Sequence, residues 1–483
     1  MNILKKVLGE SAVYGLSSYI GVFASIFLTP IYTRILSKGD YGIMDIFLTW
    51  NNLFMTILPF GLIGSLFRFY PEYKNDIKSL TGTILAFLLL VGTLYGLVMF
   101  SLQKTIISAV FNNATSFELY LTNIFIVIGS MLFSFSMSIL RCEFKKTIYL
   151  LLSLINLSLI VSLGFIFVYY DRMGVIGFFR ASLITVGIMN VLGFLAVRKK
   201  IAFTWNLTIF KHLFNYSVHI LGVTILFQLV TFFDRKIILN YCSIDELGIY
   251  AIGAKISSLL NLIFSALLLG WFPRAMSMKD NPKLKKIIQS FHDFVWITLF
   301  PFIFIFFTFN NELIQLFAPD YNKALLVVFF LSTSIIFMGI NNLFYNTGLH
   351  ILSKTKYITY ASLFSLGSNV FFSLLLVDSY GIFGVAFGTF FGSVIWTIIQ
   401  YIYNRKLFNI HFSLIKPFFY LIVLSFIFFI FNLAEFANYS MSYYRLIILK
   451  TICCIVILIY SYFVIRKYFK SKLHITDFKN LKK

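Results

Sequence analysis

The chain alternates long apolar runs with short polar connections from one end to the other. A bilayer core asks for about 20 apolar residues per helix. Runs of that length fall at 9–33, 42–67, 79–103, 117–140, 147–170, 173–197, 209–233, 246–272, 287–309, 322–347, 357–377, 380–403, 415–434 and 445–465. They predict fourteen transmembrane helices. Pro30, Pro59 and Pro301 interrupt three runs, which membrane helices tolerate because neighbouring groups satisfy the freed backbone. Within the first run, Ser11, Tyr14, Ser18, Gly21, Ser25, Thr29 and Tyr32 recur at steps of three and four, so they share one helical face. The second run repeats this with Asp45, Thr49, Asn52, Thr56 and Pro59. Such stripes serve either close helix packing or the lining of a hydrated cavity.

Composition agrees with the pattern. Of 483 residues, 59% are hydrophobic and only 12% charged, and 60 are Phe. A soluble chain this apolar would fail to cover its surface. The net charge of +22 resembles a nucleic-acid footprint until the charges are placed. Of the 40 Lys and Arg, 29 fall in alternate connections and the terminal segments, and nine in the opposite set, among them Arg235, Lys236 and Lys450. That alternation predicts both termini on the cytoplasmic side. Lys5 and Lys6 precede a first run too long for a signal peptide and without an A-x-A-like cleavage site, so it reads as an uncleaved span. Cys142, Cys242, Cys453 and Cys454 show no metal-site spacing and read as free thiols.

An internal repeat emerges at an offset of 206–208 residues. Asp40-Tyr41-Gly42 matches Glu246-Leu247-Gly248, Met173-Gly174-Val175-Ile176-Gly177 matches Tyr380-Gly381-Ile382-Phe383-Gly384, and Arg198-Lys199 matches Arg405-Lys406. The chain thus reads as two six-helix lobes, 1–205 and 206–410, followed by a helix pair and basic tail over 411–483. Six is even, so the lobes keep one orientation, as in the parallel-repeat transporters.

Two basic residues, Arg180 and Lys255, belong to neither set of connections and lie inside spans. An ionised group at a span centre costs roughly 2.5–3.5 kcal/mol on insertion scales and marks a functional position by default. The repeat maps Lys255 onto Thr49 of the polar stripe, and Ser258 lies one turn further. Lys255, Arg180, Asp45, Thr49, Asn52 and Ser258 are therefore the candidate substrate-binding residues. The alternatives are snorkelling, or a structural pair with a carboxylate such as Asp45. Asp45 itself also suits a coupling-ion or proton site. His219 and the His292-Asp293 pair read as structural polar groups. No nucleotide-binding glycine loop is present, no metal or cofactor site is indicated, and the outward connections hold only scattered charges such as Asp171, Arg172, Glu312 and Asp320. These features argue against an enzyme.

The six-six-two arrangement resembles the multidrug/oligosaccharidyl-lipid/polysaccharide exporter superfamily. The stretch from Thr29 to Gly42, with Arg34 and Leu36 before the Asp40-Tyr41-Gly42 turn, resembles its polysaccharide branch, as do Gly-Val-Ile-Gly at 174–177 and Gly-Ile-Phe-Gly at 381–384. The resemblance implies a flippase of lipid-linked oligosaccharide for O-antigen or capsule synthesis. Its cargo would ride on an undecaprenyl pyrophosphate carrier in a bacterial inner membrane, with polysaccharide polymerase and glycosyltransferases as partners and no nucleic acid. Arg34, Asp40 and Gly42 match motif positions and would act as gate or turn residues. Competing readings are a cation-coupled multidrug exporter, a membrane glycan polymerase or ligase, and a silent scaffold.

Overall fold

The computed structural model describes residues 28–472 except 280, 353, 409, 411–421, 427 and 432–442. All regular structure among them is helical. Ten helices are long and apolar enough to cross a membrane. Two bent pairs, Lys38–Ile57 with Leu62–Phe69 and Leu207–Val218 with Leu221–Tyr241, raise the count to twelve. Each coincides with a predicted run. The two remaining runs, 9–33 and 415–434, lie mostly outside the described residues, and their described parts (28–33, 422–426 and 428–431) are helical. The chain is an all-α, multi-pass membrane protein. Most of the polar line of the first run also lies outside the described residues, but Thr29 and Tyr32 are buried.

In chain order α1 covers 28–35, α2 Lys38–Ile57, α3 Leu62–Phe69, α4 Ile77–Ser101, α5 Gln103–Ala109, α6 Phe117–Cys142, α7 Lys146–Phe165, α8 Gly174–Val197 and α9 Leu207–Tyr241. Then follow α10 Ile244–Ser257, α11 Leu259–Ser277, α12 Leu284–Thr308, α13 Asn310–Phe317, α14 Ala324–Ile340, α15 Thr347–Ile351, α16 Lys356–Tyr380 and α17 Ile382–Leu407. The last described helix is Tyr443–Lys472.

Local chemistry sets the helix starts. The Ser37 hydroxyl accepts the Asp40 N–H at 3.0 Å and caps α2. At α10, Ser243 accepts the Glu246 N–H at 3.2 Å while the Glu246 carboxylate accepts the Ser243 N–H at 3.1 Å, a complete capping box. The repeated acidic–apolar–Gly motif therefore opens a helix in both halves and is not a connecting turn. The other repeated glycines, Gly174 and Gly381, have φ of +60° and +55° where one helix hands over to the next. Side chains rarely adopt that backbone conformation.

Packing gathers the chain into two compact units. One runs to Ala251 and includes Val370–Val385; the other holds Ile252–Asn369 and Ala386 onward. In the first, α2 lies against α6, α8 and α9. Its Phe47 is fully buried, stacks on Phe111 at 4.4 Å between centroids, and meets Phe179 at 5.5 Å. Trp50 donates its indole N–H to the Tyr95 hydroxyl at 3.2 Å.

Repeat-related residues meet where α2 crosses the start of α10. A Cβ on Gly42 would sit 2.7 Å from the Ile244 carbonyl oxygen and 2.8 Å from the Gly248 nitrogen. One on Gly248 would overlap the Lys38 carbonyl, and one on Gly39 would lie 2.9 Å from Asp245 Oδ1. Equivalent residues facing one another is the mark of a two-fold contact. Only glycine lets the two backbones approach this closely.

In the second unit, Trp271 stacks on Phe291 at 4.1 Å and donates to the Leu343 carbonyl at 2.7 Å. Leu343 lies in the π-helical turn Asn341–Asn346 between α14 and α15. Helix Tyr443–Lys472 packs on α12. Lys450, placed near the outer interface by sequence, is instead fully buried and pairs with Glu312 at 2.7 Å. Burial of an ammonium in an apolar surround requires such a partner.

At the opposite end of α6 from its Ser116 cap, Glu143 accepts hydrogen bonds from Tyr70 and, at 2.8 Å, from Lys200. Burial opposes ionisation of Glu143, but these two donors and the charges of Lys200 and Lys145 outweigh it, so the carboxyl sits below its usual range. Burial and the neighbouring carboxylate push the Tyr70 phenol up.

Two predictions follow the packing. Gly248→Ala forces backbone apart and should destabilise by about 1–3 kcal/mol. Gly270→Ala, at a helical glycine with open space around it, should be neutral or stabilising by roughly 0.5–1 kcal/mol. Melting temperatures in detergent compare the two, and equal effects would discount the close approach. A carboxyl held below its unfolded value of about 4.3 stabilises the fold above that pH and loses the contribution as pH falls through the depressed value. The melting-temperature gap between the parent and Glu143→Gln should thus be widest near neutrality and close below about pH 4. A gap independent of pH would contradict the ionic role.

Candidate functional site

The capped start of α2 carries Asp45 about 10 Å along the helix axis. Arg235 lies a similar distance, roughly 9 Å, before the end of α9, and Tyr250 roughly 9 Å beyond the start of α10. These three helix ends come together, and the side chains form one network. Arg235 Nε donates to Asp45 Oδ2 at 2.9 Å. Its Nη1 reaches the Thr231 carbonyl at 3.4 Å. The guanidinium carbon stands 5.2 Å from the centroid of the Tyr250 ring, and the Tyr250 hydroxyl donates to Asp234 Oδ2 at 2.8 Å. Arg235, Asp234 and Tyr250 are buried, whereas the Asp45 side chain keeps 20% of its surface exposed. Asp45 is therefore the most exposed member of an otherwise buried ionic group. Such a pair contributes little net stability against an apolar substitute, yet removing one partner strands a buried charge.

The other predicted residues divide around this network. Thr49 is buried one turn beyond Asp45 on α2. Asn52 is exposed, and its carbonyl accepts the Thr56 hydroxyl at 2.8 Å. Lys255 is half-buried on α10. The Ser258 hydroxyl donates to the Lys255 carbonyl at 2.6 Å, where α10 gives way to α11. Arg180 sits near the start of α8 and forms an ion pair with Glu118 in the first turn of α6. The carboxylate that holds Arg180 is thus Glu118, while Asp45 is engaged by Arg235. Arg34 is exposed and donates to the Pro30 carbonyl at 2.7 Å. Asp40 and Gly42 occupy the opening turns of α2 as described above. His292 is buried, accepts the Trp296 indole N–H at Nε2 (3.2 Å), and lies 3.6 Å from Asp293, which suits a structural role. The side chain of His219 lies outside those described. All four cysteines carry free thiols. Among the described residues no three His, Cys, Asp or Glu side chains are grouped as metal ligands.

Arg235 is the residue that the apolar pattern misplaces, and Asp234 one that it passes over. The apolar run ends at 233, which puts Arg235 in an outer connection. The helix continues eight residues further, to Tyr241. One local signal was available: the Ser243–Glu246 capping box marks the next helix start, which leaves room for the preceding helix to run past Asp234-Arg235-Lys236.

Residues 31–321 match the polysaccharide biosynthesis protein family. The chain is 23% identical over 316 residues to Lsg locus putative protein 1 of Haemophilus influenzae, covering 62% of this chain and 72% of that protein. It is 24% identical over 402 residues to an uncharacterized membrane protein of Methanocaldococcus jannaschii, covering 78% and 91%. Its fold is similar to that of the lipid II flippase MurJ in an inward closed conformation (TM-score 0.69, 17% identity, 96% of this chain and 98% of that one). It is also similar to that of a multidrug resistance transporter of the MATE family, inward-facing (TM-score 0.66, 13% identity, 81% and 94%). With well over half of its length matched, this chain belongs to the polysaccharide biosynthesis protein family.

Proposed function

We propose that the protein flips a polyprenyl-pyrophosphate-linked oligosaccharide from the inner to the outer leaflet of a bacterial inner membrane, for surface polysaccharide such as O-antigen or capsule. The family match over residues 31–321 carries this reading. The fold shared with a lipid II flippase supports it. The lobes 1–205 and 206–410 rock against one another and expose a central path to each face in turn, with 411–483 as an added helix pair and tail. Both termini are cytoplasmic, as the basic residues argue. The carrier is undecaprenyl pyrophosphate, and a polymerase and glycosyltransferases act before and after the transport step.

Lys255 and Arg180 attract the pyrophosphate, while Asp45, Thr49, Asn52 and Ser258 meet the hydrated sugars. Arg34, Asp40 and Gly42 shape the end of the path. Arg180 is partly exposed and shares its charge with Glu118. Two negative charges leaving a cytoplasm at about −100 mV gain roughly 4.6 kcal/mol, enough to drive export without nucleotide hydrolysis. Export of cationic drugs would call for an uncompensated carboxylate, and Asp45 is matched by Arg235.

The test is a gene deletion in the native host. Lipid-linked oligosaccharide should accumulate on the inner leaflet, with surface glycan lost. Restoration by the parent gene, and tenfold or poorer restoration by Lys255→Ala at equal protein level, is the expected pattern. Normal leaflet distribution in the deletion strain would end the transport reading, and full activity of both Lys255→Ala and Arg180→Ala would end the cationic-path assignment.

A further inference from the structure

We infer that Arg235 is an anion-recognition group for the pyrophosphate cargo, held in reserve by Asp45. This rests on the transport reading above only for the identity of the anion. The guanidinium is the buried partner and Asp45 the more exposed one, so an anion approaching the pair from its open side meets the carboxylate first. Arg235 presents five N–H donors in a planar fork. Asp45 takes one of them at Nε, and Nη1 makes a long contact of 3.4 Å to the Thr231 carbonyl. Among the described residues, Nη2 donates to nothing. A phosphate oxygen pair matches this fork bidentately, and a pyrophosphate carries more charge than one carboxylate. Asp45 then behaves as an internal competitor that the cargo displaces. Asp234 stays beside the guanidinium, its own Oδ2 taken by Tyr250, and keeps an unoccupied Arg235 compensated.

The position of the pair gives the exchange a mechanical consequence. Asp45 lies one turn from Gly42, and Tyr250 two residues from Gly248, at the bare backbone contact of α2 with α10. The glycines themselves supply no side chains there, and Ile244 and Leu247 of α10 close directly on the α2 backbone. The Asp45–Arg235 pair is an ionic tie between α2 and α9 beside that contact, a few residues from the Trp50–Phe232 ring contact at 5.7 Å, so capturing an anion on Arg235 loosens this end of α2. Binding and release are linked reciprocally: whatever frees α2 from Asp45's bond must also raise affinity for the anion.

The test uses the purified full-length protein in detergent, with inorganic pyrophosphate as the probe and binding read by calorimetry. Asp45→Asn, which leaves Arg235 without its competitor, should bind pyrophosphate about tenfold tighter than the parent. Arg235→Gln should bind about tenfold weaker. Opposite signs are the signature, since a merely structural pair would move both variants the same way. If Asp45→Asn does not fold, Arg235→Lys decides: it keeps the charge but loses the fork, and should weaken binding while the melting temperature stays near the parent's. Unchanged pyrophosphate affinity in Arg235→Lys, equal effects in Asp45→Asn and Arg235→Gln, or no pyrophosphate binding by parent and Asp45→Asn alike would each overturn the inference. The leaflet assay of the deletion strain judges the transport reading separately, so the two can fail independently.

Discussion

Hydrocarbon offers no hydrogen bonds, so a charged group drawn into this helical stack is stabilised chiefly by a partner on another part of the same chain. The Asp45–Arg235 pair shows what that constraint does. An arginine two turns inside α9 is tolerable only because α2 delivers a carboxylate to it and α10 delivers an aromatic ring, whose hydroxyl binds the second acid, Asp234, of α9 itself. Three helix ends are thereby brought to one point. Lys450 and Glu312 repeat the solution in the other compact unit, tying the last described helix to α13. In both cases the charge holds together elements far apart in sequence, whereas apolar contact alone would leave many rotations and registers equivalent.

Steric and ionic terms are divided at the crossing of α2 and α10. Gly42 and Gly248 permit the close approach of the two backbones but carry no polar side chain to pair across it. The ionic group one turn away supplies the polar contact. It is also the more reversible of the two, since a buried pair is nearly balanced between desolvation cost and Coulomb gain. A competing anion shifts such a balance far more readily than it could shift a packed apolar core. That leaves this junction open to ionic competition in a way that the Phe47–Phe111–Phe179 packing beside it is not.

Much of the architecture was legible before any coordinates. The twelve described spans coincide with predicted apolar runs, because the length of a membrane-crossing helix depends on local hydrophobicity and bilayer thickness. The repeated motifs were legible as well, although their meaning was not. What reads as a turn at Asp40-Tyr41-Gly42 is the capped beginning of a helix. The glycine matters because of a partner 206 residues away, which no local pattern reveals.

The candidate site was legible only in part. Asp45 stood out as a charge within an apolar run, and its need for a partner followed from elementary electrostatics. Which cation would meet it did not follow. Arg180 and Lys255 were the two deepest inside the predicted spans, but Arg180 went to Glu118, and Asp45 was claimed by an arginine that hydropathy had assigned to a loop. Apolar runs, helix caps and the repeat are properties of neighbouring residues, and the sequence by itself determined them. Ion pairing across 190 residues depends on which helices lie side by side and at what rotation, so only the tertiary structure could decide it.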